Sequence, residues 1–373
     1  MKRFLAVLFM LIILTGCVHT PEPEPTTEQT VAIETEPTVV VDPLVRILED
    51  MTIKEKVGQL FLVAAPSQDI LEQIDTYHFG GIILFADDVE GHTPTTLRQW
   101  ISKIQDHADI PLLVAVDEEG GTVCRISSDS DFAESRFPSP RKLYNEGGLD
   151  LLLETEAEKS DLLSGLGINV NLAPVCDITT DQNAFMYSRS LGLSPEKTSE
   201  CIGAMVKTMT EHEVGSVLKH FPGYGNNTDT HVAMAIDNRT LAQLESADLV
   251  PFQGGIDAGC GGIMVSHTII TALDSEYPAT LSPAVIKYLR EDMNFEGVII
   301  TDDLEMDAIT DHFGRGESAV LAVLAGNDIL CTWTYEEQFN AVFDAVLEGR
   351  ITMEQLDSAV MRILRWKQQL NIL

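Results

Sequence analysis

Short apolar runs recur along most of the chain, and between them lie longer segments in which apolar and polar residues alternate with a helical period. The runs are rich in Val, Ile and Leu, are often opened by Gly, and have about the length of a strand. They occupy residues 57–65, 80–86, 111–121, 167–177, 215–223, 261–267, 296–304 and 326–333. Continuous apolar runs are typical of parallel strands, because other elements cover both faces of such a sheet.

The segments between the runs predict helices, as at residues 95–108 and 194–213. The second segment begins with "SPEK", which predicts Ser194 as the N-cap and Pro195 as the first helical residue. The last residues, "MRILRWKQQLNIL", predict a terminal helix. Eight strand–helix units without a second block of strands predict an α/β fold, a (β/α)₈ TIM-type barrel that forms a single catalytic domain.

The first residues do not belong to this pattern. Lys2 and Arg3 precede the apolar run "FLAVLFMLIIL", which leads into "LTGC" at Cys17. A short basic region, a brief apolar core and small residues indicate an export signal. The run is too short to span a membrane comfortably as a mature helix.

The "LTGC" sequence resembles the bacterial lipoprotein box. The resemblance implies that residues 1–17 are a lipoprotein signal peptide and that lipidated Cys17 anchors an exported protein to a membrane, with the domain on the extracytoplasmic side. An ordinary signal peptide with an incidental cysteine is the alternative. Residues 18–42 lack Lys and Arg and are rich in Pro, Thr and Glu, which predicts a disordered spacer. The barrel is therefore expected at residues 43–373.

Charge and cysteine content exclude some classes of function. The 58 acidic and 24 basic residues give a net charge of −34, which argues against nucleic-acid binding through phosphate contacts. Besides Cys17, five widely spaced cysteines show neither a zinc-ligand pattern nor a dense disulfide framework. One disulfide bridge is possible, and its partners are undetermined. These cysteines are Cys124, Cys176, Cys201, Cys260 and Cys331.

Polar residues collect at the carboxyl ends of the apolar runs. A (β/α)₈ barrel builds its active site from the loops at that rim, so these residues are the first candidates for chemistry. They are Asp117, Asp177, Lys219, His220, His267, Asp302 and Asp303.

The stretch "KHFPGYGNNTDTH", residues 219–231, follows the fifth run directly. A zinc site formed by His220, Asp229 and His231 is one interpretation, although metal sites usually show tighter spacing. A solvated surface loop is a second. The third is acid–base chemistry, in which Asp229 orients the His231 imidazole and stabilises its charged form, so that His231 can transfer protons near neutral pH.

The seventh run ends in Asp302 and Asp303. Side chains alternate at a strand end, so at most one of the two is expected to point into the barrel mouth. A carboxylate there can attack the anomeric carbon of a sugar and form a covalent intermediate. The other is expected to cap the following helix. The spacing alone does not choose between them.

Several longer motifs together resemble glycoside hydrolase family 3, specifically its single-domain β-N-acetylhexosaminidases of the peptidoglycan-recycling type. The resemblance covers residues from about 45 to 370. The motifs are "VDEEGGTVCR" (116–125), "NLAPVCDI" (171–178), "SRSLG" (188–192), "KHFPGYG" (219–225), "DTH" (229–231) and "TDDLEM" (301–306).

This resemblance assigns roles to individual residues. It implies that Asp302 is the nucleophile and that His231 is the general acid/base, assisted by Asp229. The implied sugar-binding residues are Asp117, Arg125, Arg189, Lys219 and His220. Several of these roles have an alternative. Asp117 could anchor a turn, and Arg125 and Arg189 could form surface ion pairs. His267 either lines the rim or has a structural role.

The implied activity is that of a retaining exo-β-N-acetylglucosaminidase acting on cell-wall saccharides, monomeric and without a metal or organic cofactor. A phosphorylase or β-glucosidase on the same barrel and a non-catalytic wall-sugar-binding lipoprotein are the alternatives. The chain departs from the family's usual motifs at Thr122, which replaces an arginine, and at Tyr224, which replaces a histidine. The loop from Gly225 to His231 is also one residue shorter than usual, which leaves the sugar specificity open.

Overall fold

The computed structural model describes residues 42–65, 69–179, 181–225 and 235–373, together with Gly16. The predicted signal peptide, Cys17 and the spacer therefore lie outside the described residues, apart from Gly16 and Asp42. In the described part of the chain, no helix combines the length and apolarity needed to cross a bilayer.

The described strands are β1 (Phe61–Ala64), β2 (Gly81–Leu84), β3 (Leu113–Val116), β4 (Val170–Asn171), β5 (Gly215–Phe221), β6 (Ile236–Asp237), β7 (Gly262–Val265), β8 (Ile269–Ile270), β9 (Val298–Thr301) and β10 (Leu330–Thr332).

The α-helices are α1 (Pro43–Asp50), α2 (Ile53–Gln59), α3 (Ile70–Tyr77), α4 (Ala86–Val89), α5 (Pro94–His107), α6 (Pro140–Leu166), α7 (Pro195–Glu211), α8 (Leu241–Glu245), α9 (Leu249–Asp257), α10 (Pro283–Lys287), α11 (Asp307–Phe313), α12 (Arg315–Ala325), α13 (Tyr335–Leu347) and α14 (Met353–Gln369). A 3₁₀ turn (Ala279–Leu281) precedes α10, and a π-helical segment (Tyr288–Asp292) follows it.

Eight parallel strands form the barrel, in the order β10-β1-β2-β3-β4-β5-β7-β9. A parallel bridge between Ile300 and Ile329 joins the two ends of this sheet. Strands β6 and β8 form a separate parallel pair. Each of the eight apolar runs contains one barrel strand, so the predicted (β/α)₈ fold is confirmed.

Local sequence explains where the elements lie. All four residues of β3 are buried, as expected for a strand covered on both faces. The Ser194 hydroxyl accepts the Lys197 N–H at 3.3 Å, which confirms Ser194 as the N-cap of α7. The five described cysteines are buried and free, so the disulfide bridge that the sequence allowed is not formed among them.

A lysine lies inside the protein at the end of α14. The Lys367 side chain is fully buried, and its ammonium donates to Gln59 Oε1 at 2.7 Å. Burial lowers the pKa of Lys367 to about 7. The unfolded chain therefore binds more protons than the folded chain between about pH 7 and the ordinary lysine pKa.

Stability should consequently rise with pH in that range because of Lys367. We expect the free energy of unfolding of the wild type to increase by about 2 kcal/mol more than that of Lys367→Met between about pH 7 and pH 9. Urea unfolding at the two pH values measures this difference. The exposed Lys103→Met variant is the control and should follow the wild type. Parallel pH dependence of wild type and Lys367→Met would contradict the expectation.

Candidate active site

Three consecutive acids follow β3, and the structure gives each a different environment. Glu118 is fully buried, and its carboxylate accepts the N–H groups of Arg125 and Ile126, each at 2.8 Å. Gly120 has φ +96°, and a Cβ there would lie 2.4 Å from the Pro138 carbonyl oxygen. Glu118 and Gly120 therefore stabilise the turn after β3. Asp117 and Glu119 instead contact Lys219 of β5.

A buried cluster of charged side chains lies at the ends of β3 and β5. Lys219 Nζ is 2.5 Å from Asp117 Oδ1 and 2.7 Å from Glu119 Oε1. Arg189 donates to both carboxylate oxygens of Glu119, from Nε to Oε2 at 2.9 Å and from Nη2 to Oε1 at 2.7 Å, so that it shares Oε1 with Lys219. The side chains of Lys219 and Glu119 are only 3% and 2% exposed. Their pairing compensates charges that would otherwise be very costly to bury.

The pairing keeps Glu119 and Lys219 charged, as the directions of their pKa shifts show. Burial alone would raise the pKa of Glu119, but the Lys219 and Arg189 charges outweigh it and hold that pKa well below its usual range. Burial alone would lower the pKa of Lys219, but Asp117 and Glu119 outweigh it and raise that pKa. The barrel mouth therefore presents fixed charged donors and acceptors at neutral pH.

His220 is held by a second buried acid. Asp177 Oδ2 accepts from the His220 backbone N–H at 3.0 Å and lies 2.8 Å from His220 Nδ1. Because Arg189 Nη2 can only donate, its 3.2 Å contact assigns the acceptor role to His220 Nε2 and the ring proton to Nδ1. Both ring nitrogens of His220 thus face protein groups.

The turn after β5 is fixed by buried groups. The Lys219–His220 and Phe221–Pro222 peptide bonds are cis. Tyr224 is buried, its N–H donates to Asp177 Oδ1 at 2.7 Å, and its ring packs edge-on against His220 with centroids 5.1 Å apart. Tyr224, one of the two residues that depart from the family motifs, therefore packs against the candidate sugar-binding histidine.

Arg239 supports the next part of the same turn. A Cβ at Gly225 would lie 2.6 Å from Arg239 Nη2, so the glycine lets the backbone pass over the guanidinium. Arg239 is itself paired with Asp237 at 2.6 Å and with Asp248 at 2.5 Å. The described part of the loop thus ends at Gly225, which packs on an arginine held by two ion pairs. The predicted acid/base pair, Asp229 and His231, lies outside the described residues.

Arg125 lies at the edge of the charged cluster. Its Nη2 is 4.0 Å from Asp117 Oδ2, and its guanidinium lies 5.8 Å from the ring centre of Phe85, the residue after β2. Arg125 is partly exposed. The structure therefore brings all five predicted sugar-binding residues to one rim.

Asp302 and Asp303 form a turn at the end of β9. The Asp302 N–H donates to the Val265 carbonyl of β7 at 3.0 Å, and Asp302 Oδ1 accepts the Asp303 N–H at 2.9 Å. Asp303 Oδ1 accepts the Glu305 N–H at 3.0 Å. The expected helix cap is wrong, because α11 begins at Asp307 and the Asp303 carboxylate caps the turn before it.

Asp303 is set apart from its neighbour by its surroundings. Burial, with the nearby charges of Asp302 and Glu305, raises the pKa of Asp303 to about 7 although a hydrogen bond from Glu305 lowers it. His267 is completely buried, with Nδ1 2.7 Å from Thr280 Oγ1 and Nε2 2.8 Å from the Asp303 carbonyl oxygen. Of its two interpretations, the structural one fits, since His267 holds the aspartate turn.

The acids that follow β3 and β9 influence a buried thiol in β10. The thiol of Cys331 in β10 is buried, and burial followed by the charges of Asp303, Asp302 and Asp117 raises the pKa of that thiol. Asp117 directly follows β3 and Asp302 directly follows β9, so the candidate nucleophile and the charged cluster lie at the same end of the parallel barrel.

Comparison with known proteins identifies the family of this chain. Residues 52–366 match the family described as Glycosyl hydrolase family 3 N terminal domain. The chain belongs to glycosyl hydrolase family 3. It is accordingly a glycoside hydrolase, as the motifs at the strand ends predicted.

Relatives of this family 3 chain carry similar names. It is 29% identical to "Beta-hexosaminidase LpqI" of Mycobacterium tuberculosis over 326 residues, 84% of this chain and 82% of that protein. It is 33% identical to a "Beta-hexosaminidase" of Nitrosomonas eutropha over 254 residues, 66% of this chain and 71% of that protein. The structure of a family 3 β-N-acetylglucosaminidase from Paenibacillus sp. superposes with a TM-score of 0.81 at 33% identity, covering 86% of this chain and 63% of that longer protein.

Two important residues of this family 3 site were missed or left without a role by the sequence analysis. Glu119, which bridges Lys219 and Arg189, was not singled out, although it is the third of three consecutive acids directly after a strand. Asp177 was noted at a strand end, but its partner His220 lies 43 positions away in the chain. Only the folded barrel brings such partners together.

Proposed function

We propose that this protein is a retaining exo-β-N-acetylglucosaminidase that removes terminal β-linked N-acetylglucosamine from peptidoglycan-type saccharides. The observation that carries the proposal is that Asp302 and the charged cluster around Lys219 lie at the same end of the parallel barrel. The names of the relatives favour an acetamido sugar over glucose. The alternative is cleavage of the same glycosidic bond by phosphate instead of water, and the experiment must distinguish phosphorolysis from hydrolysis.

The cluster offers what a pyranose ring needs for binding. The Asp117 carboxylate and the Lys219 ammonium can bind adjacent hydroxyl groups, with Arg189 and His220 beside them. Because the groups are already fixed by one another, little ordering is required when the sugar enters. In this proposal Arg125 closes the outer edge of the same subsite.

Asp302 then attacks the anomeric carbon as His231 gives its proton to the departing oxygen. The bond from the anomeric carbon to Asp302 forms as the glycosidic bond breaks. His231 next removes a proton from water, which attacks the same carbon and releases Asp302. Asp303 is largely neutral below about pH 7, so it adds little second negative charge beside the nucleophile.

In this proposal the protein is exported, so that its activity lies outside the cytoplasm. Residues 1–17 act as the lipoprotein signal, Cys17 carries the anchor, and residues 18–42 tether the domain at 43–373 to the membrane surface. Labelling with a radioactive or alkyne-bearing fatty acid tests the anchor. A Cys17→Ser variant should lose the label.

The activity is tested with 4-nitrophenyl β-N-acetylglucosaminide beside the corresponding β-glucoside, each with and without phosphate. We expect a strong preference for the acetamido sugar and no acceleration by phosphate. Proton NMR of the first product should show the β anomer, as retention requires. Sugar 1-phosphate as the product would assign a phosphorylase, and an α anomer formed first would overturn the covalent mechanism.

His231→Ala tests the acid/base assignment. We expect kcat/KM to fall about 10²- to 10⁴-fold on a disaccharide, whose leaving oxygen needs a proton. The loss should be much smaller on the 4-nitrophenyl substrate, because nitrophenolate leaves without protonation. Equal losses on the two substrates would show that His231 does not protonate the leaving group.

A further inference from the structure

An aromatic pair forms the part of the rim that lies across the barrel from Lys219. Trp333 directly follows β10 and Phe85 directly follows β2, so both stand at the carboxyl ends of barrel strands. Their ring centres are 4.1 Å apart with an interplanar angle of 32°. They thus meet over the end of β1, which lies between β10 and β2 in the sheet.

Trp333 is 49% exposed, which is unusual for a tryptophan outside a binding surface. Its ring is nevertheless held by packing, because it lies against the Phe85 ring with the ring centres 4.1 Å apart. An aromatic surface that is held in place and open to solvent loses little conformational entropy when a ligand packs on it.

The pair is continuous with the site on both sides. The segment that carries Trp333 adjoins the turn of the candidate nucleophile Asp302, because the Leu304 N–H donates to the Cys331 carbonyl at 3.1 Å and the Thr334 hydroxyl donates to the Glu305 carboxylate. Through Phe85 the pair adjoins Arg125, whose guanidinium also approaches Asp117. The mouth therefore has a polar wall built from β3 to β5 and an aromatic wall at β10 and β2.

Depth distinguishes the two walls. Lys219 and Glu119 are almost completely buried, whereas half of Trp333 is open to solvent. In an exo-acting pocket the terminal sugar occupies the deep part, and the leaving group points outward. The exposed aromatic wall is therefore at the level of the leaving group.

We propose that Trp333, supported by Phe85, stacks against the apolar face of the sugar on the leaving-group side of the cleaved bond and so favours saccharide over small leaving groups. This inference rests on the proposed function, which orients the substrate with its terminal sugar in the deep part of the site and its leaving group toward solvent. The stacking itself is a binding property, and it can be measured without turnover.

Binding to the Asp302→Asn protein tests the proposal first. Titration calorimetry compares N-acetylglucosamine with the β-1,4-linked disaccharide of the same sugar. Adding Trp333→Ala should weaken disaccharide binding about 10- to 100-fold, as expected for losing the burial of one large aromatic surface. Monosaccharide binding should change less than about threefold. Trp333→Tyr should recover most of the disaccharide affinity, and Phe85→Ala should reduce it.

Kinetics provide the second readout. Trp333→Ala should lower kcat/KM on the disaccharide about 10- to 100-fold, with little change on N-acetylglucosaminyl fluoride, which lacks a leaving-group sugar. Leu347→Ala is the matched control, because Leu347 is an exposed apolar residue at the end of α13 remote from β10. It should leave both substrates unaffected.

The outcomes separate the two proposals. Equal losses on the two ligands, or no loss on either, would overturn the stacking role of Trp333. If the wild type turns over neither substrate but disaccharide binding still depends on Trp333, the proposed hydrolysis is wrong and the stacking role of Trp333 is supported.

Discussion

Asp302→Asn should lower kcat/KM on the N-acetylglucosaminide by at least about 10³-fold and leave the fold intact. An amide has nearly the shape of the carboxylate but is a far weaker nucleophile, so the covalent step should be blocked. The Asp302 N–H to Val265 hydrogen bond uses the backbone and is unaffected by the change. Steady-state kinetics measure the loss, and circular dichroism with the unfolding temperature checks the fold.

The neighbouring Asp303→Asn variant is the matched comparison. The Asp303 carboxyl is largely neutral at about pH 6, and its oxygen accepts the Glu305 N–H, which an amide oxygen can also do. We expect it to keep most of the activity at that pH. Full activity of Asp302→Asn, or the opposite ranking of the two variants, would show that the nucleophile is assigned to the wrong aspartate. Sugar binding retained by Asp302→Asn would separate a lost catalytic step from a lost binding site.

The barrel strands could be predicted because the signal for each is local. A strand covered on both faces, such as β3, must be apolar at successive positions, and this is readable within a few residues. The N-cap at Ser194 is equally local, since the hydroxyl reaches only three residues along the chain. Polar residues after such strands predict the rim, because parallel strands end together.

The partners within the rim could not be predicted in this way. Lys219 and Glu119 are 100 positions apart, and their contact depends on how β3 and β5 lie around the barrel. The two aspartates after β9 differ in their partners, since His267 reaches the Asp303 carbonyl from the end of β7. Trp333 and Phe85 meet across β1, which no pattern along the chain indicates.

The charged cluster also makes Glu119 a strong determinant of stability, and Glu119→Gln should reduce the free energy of unfolding by about 3–5 kcal/mol at neutral pH. The substitution keeps the shape of the side chain but removes the negative charge between two cations. Lys219 would retain Asp117, whereas Arg189 would lose its ion pair with Glu119. Urea unfolding measures the loss, and Glu158→Gln, on the exposed side of α6, is the control that should unfold like the wild type.

The pH dependence identifies the cause of this loss. The folded pKa of Glu119 lies well below the ordinary value of 4.5, so its stabilising contribution is present above about pH 4.5 and is lost as the pH falls toward the folded pKa. The difference between wild type and Glu119→Gln should therefore be largest near neutral pH and shrink on acidification. A difference that stays constant with pH would assign the loss to packing. A difference below about 1 kcal/mol at neutral pH would mean that Asp117 alone compensates the buried cations.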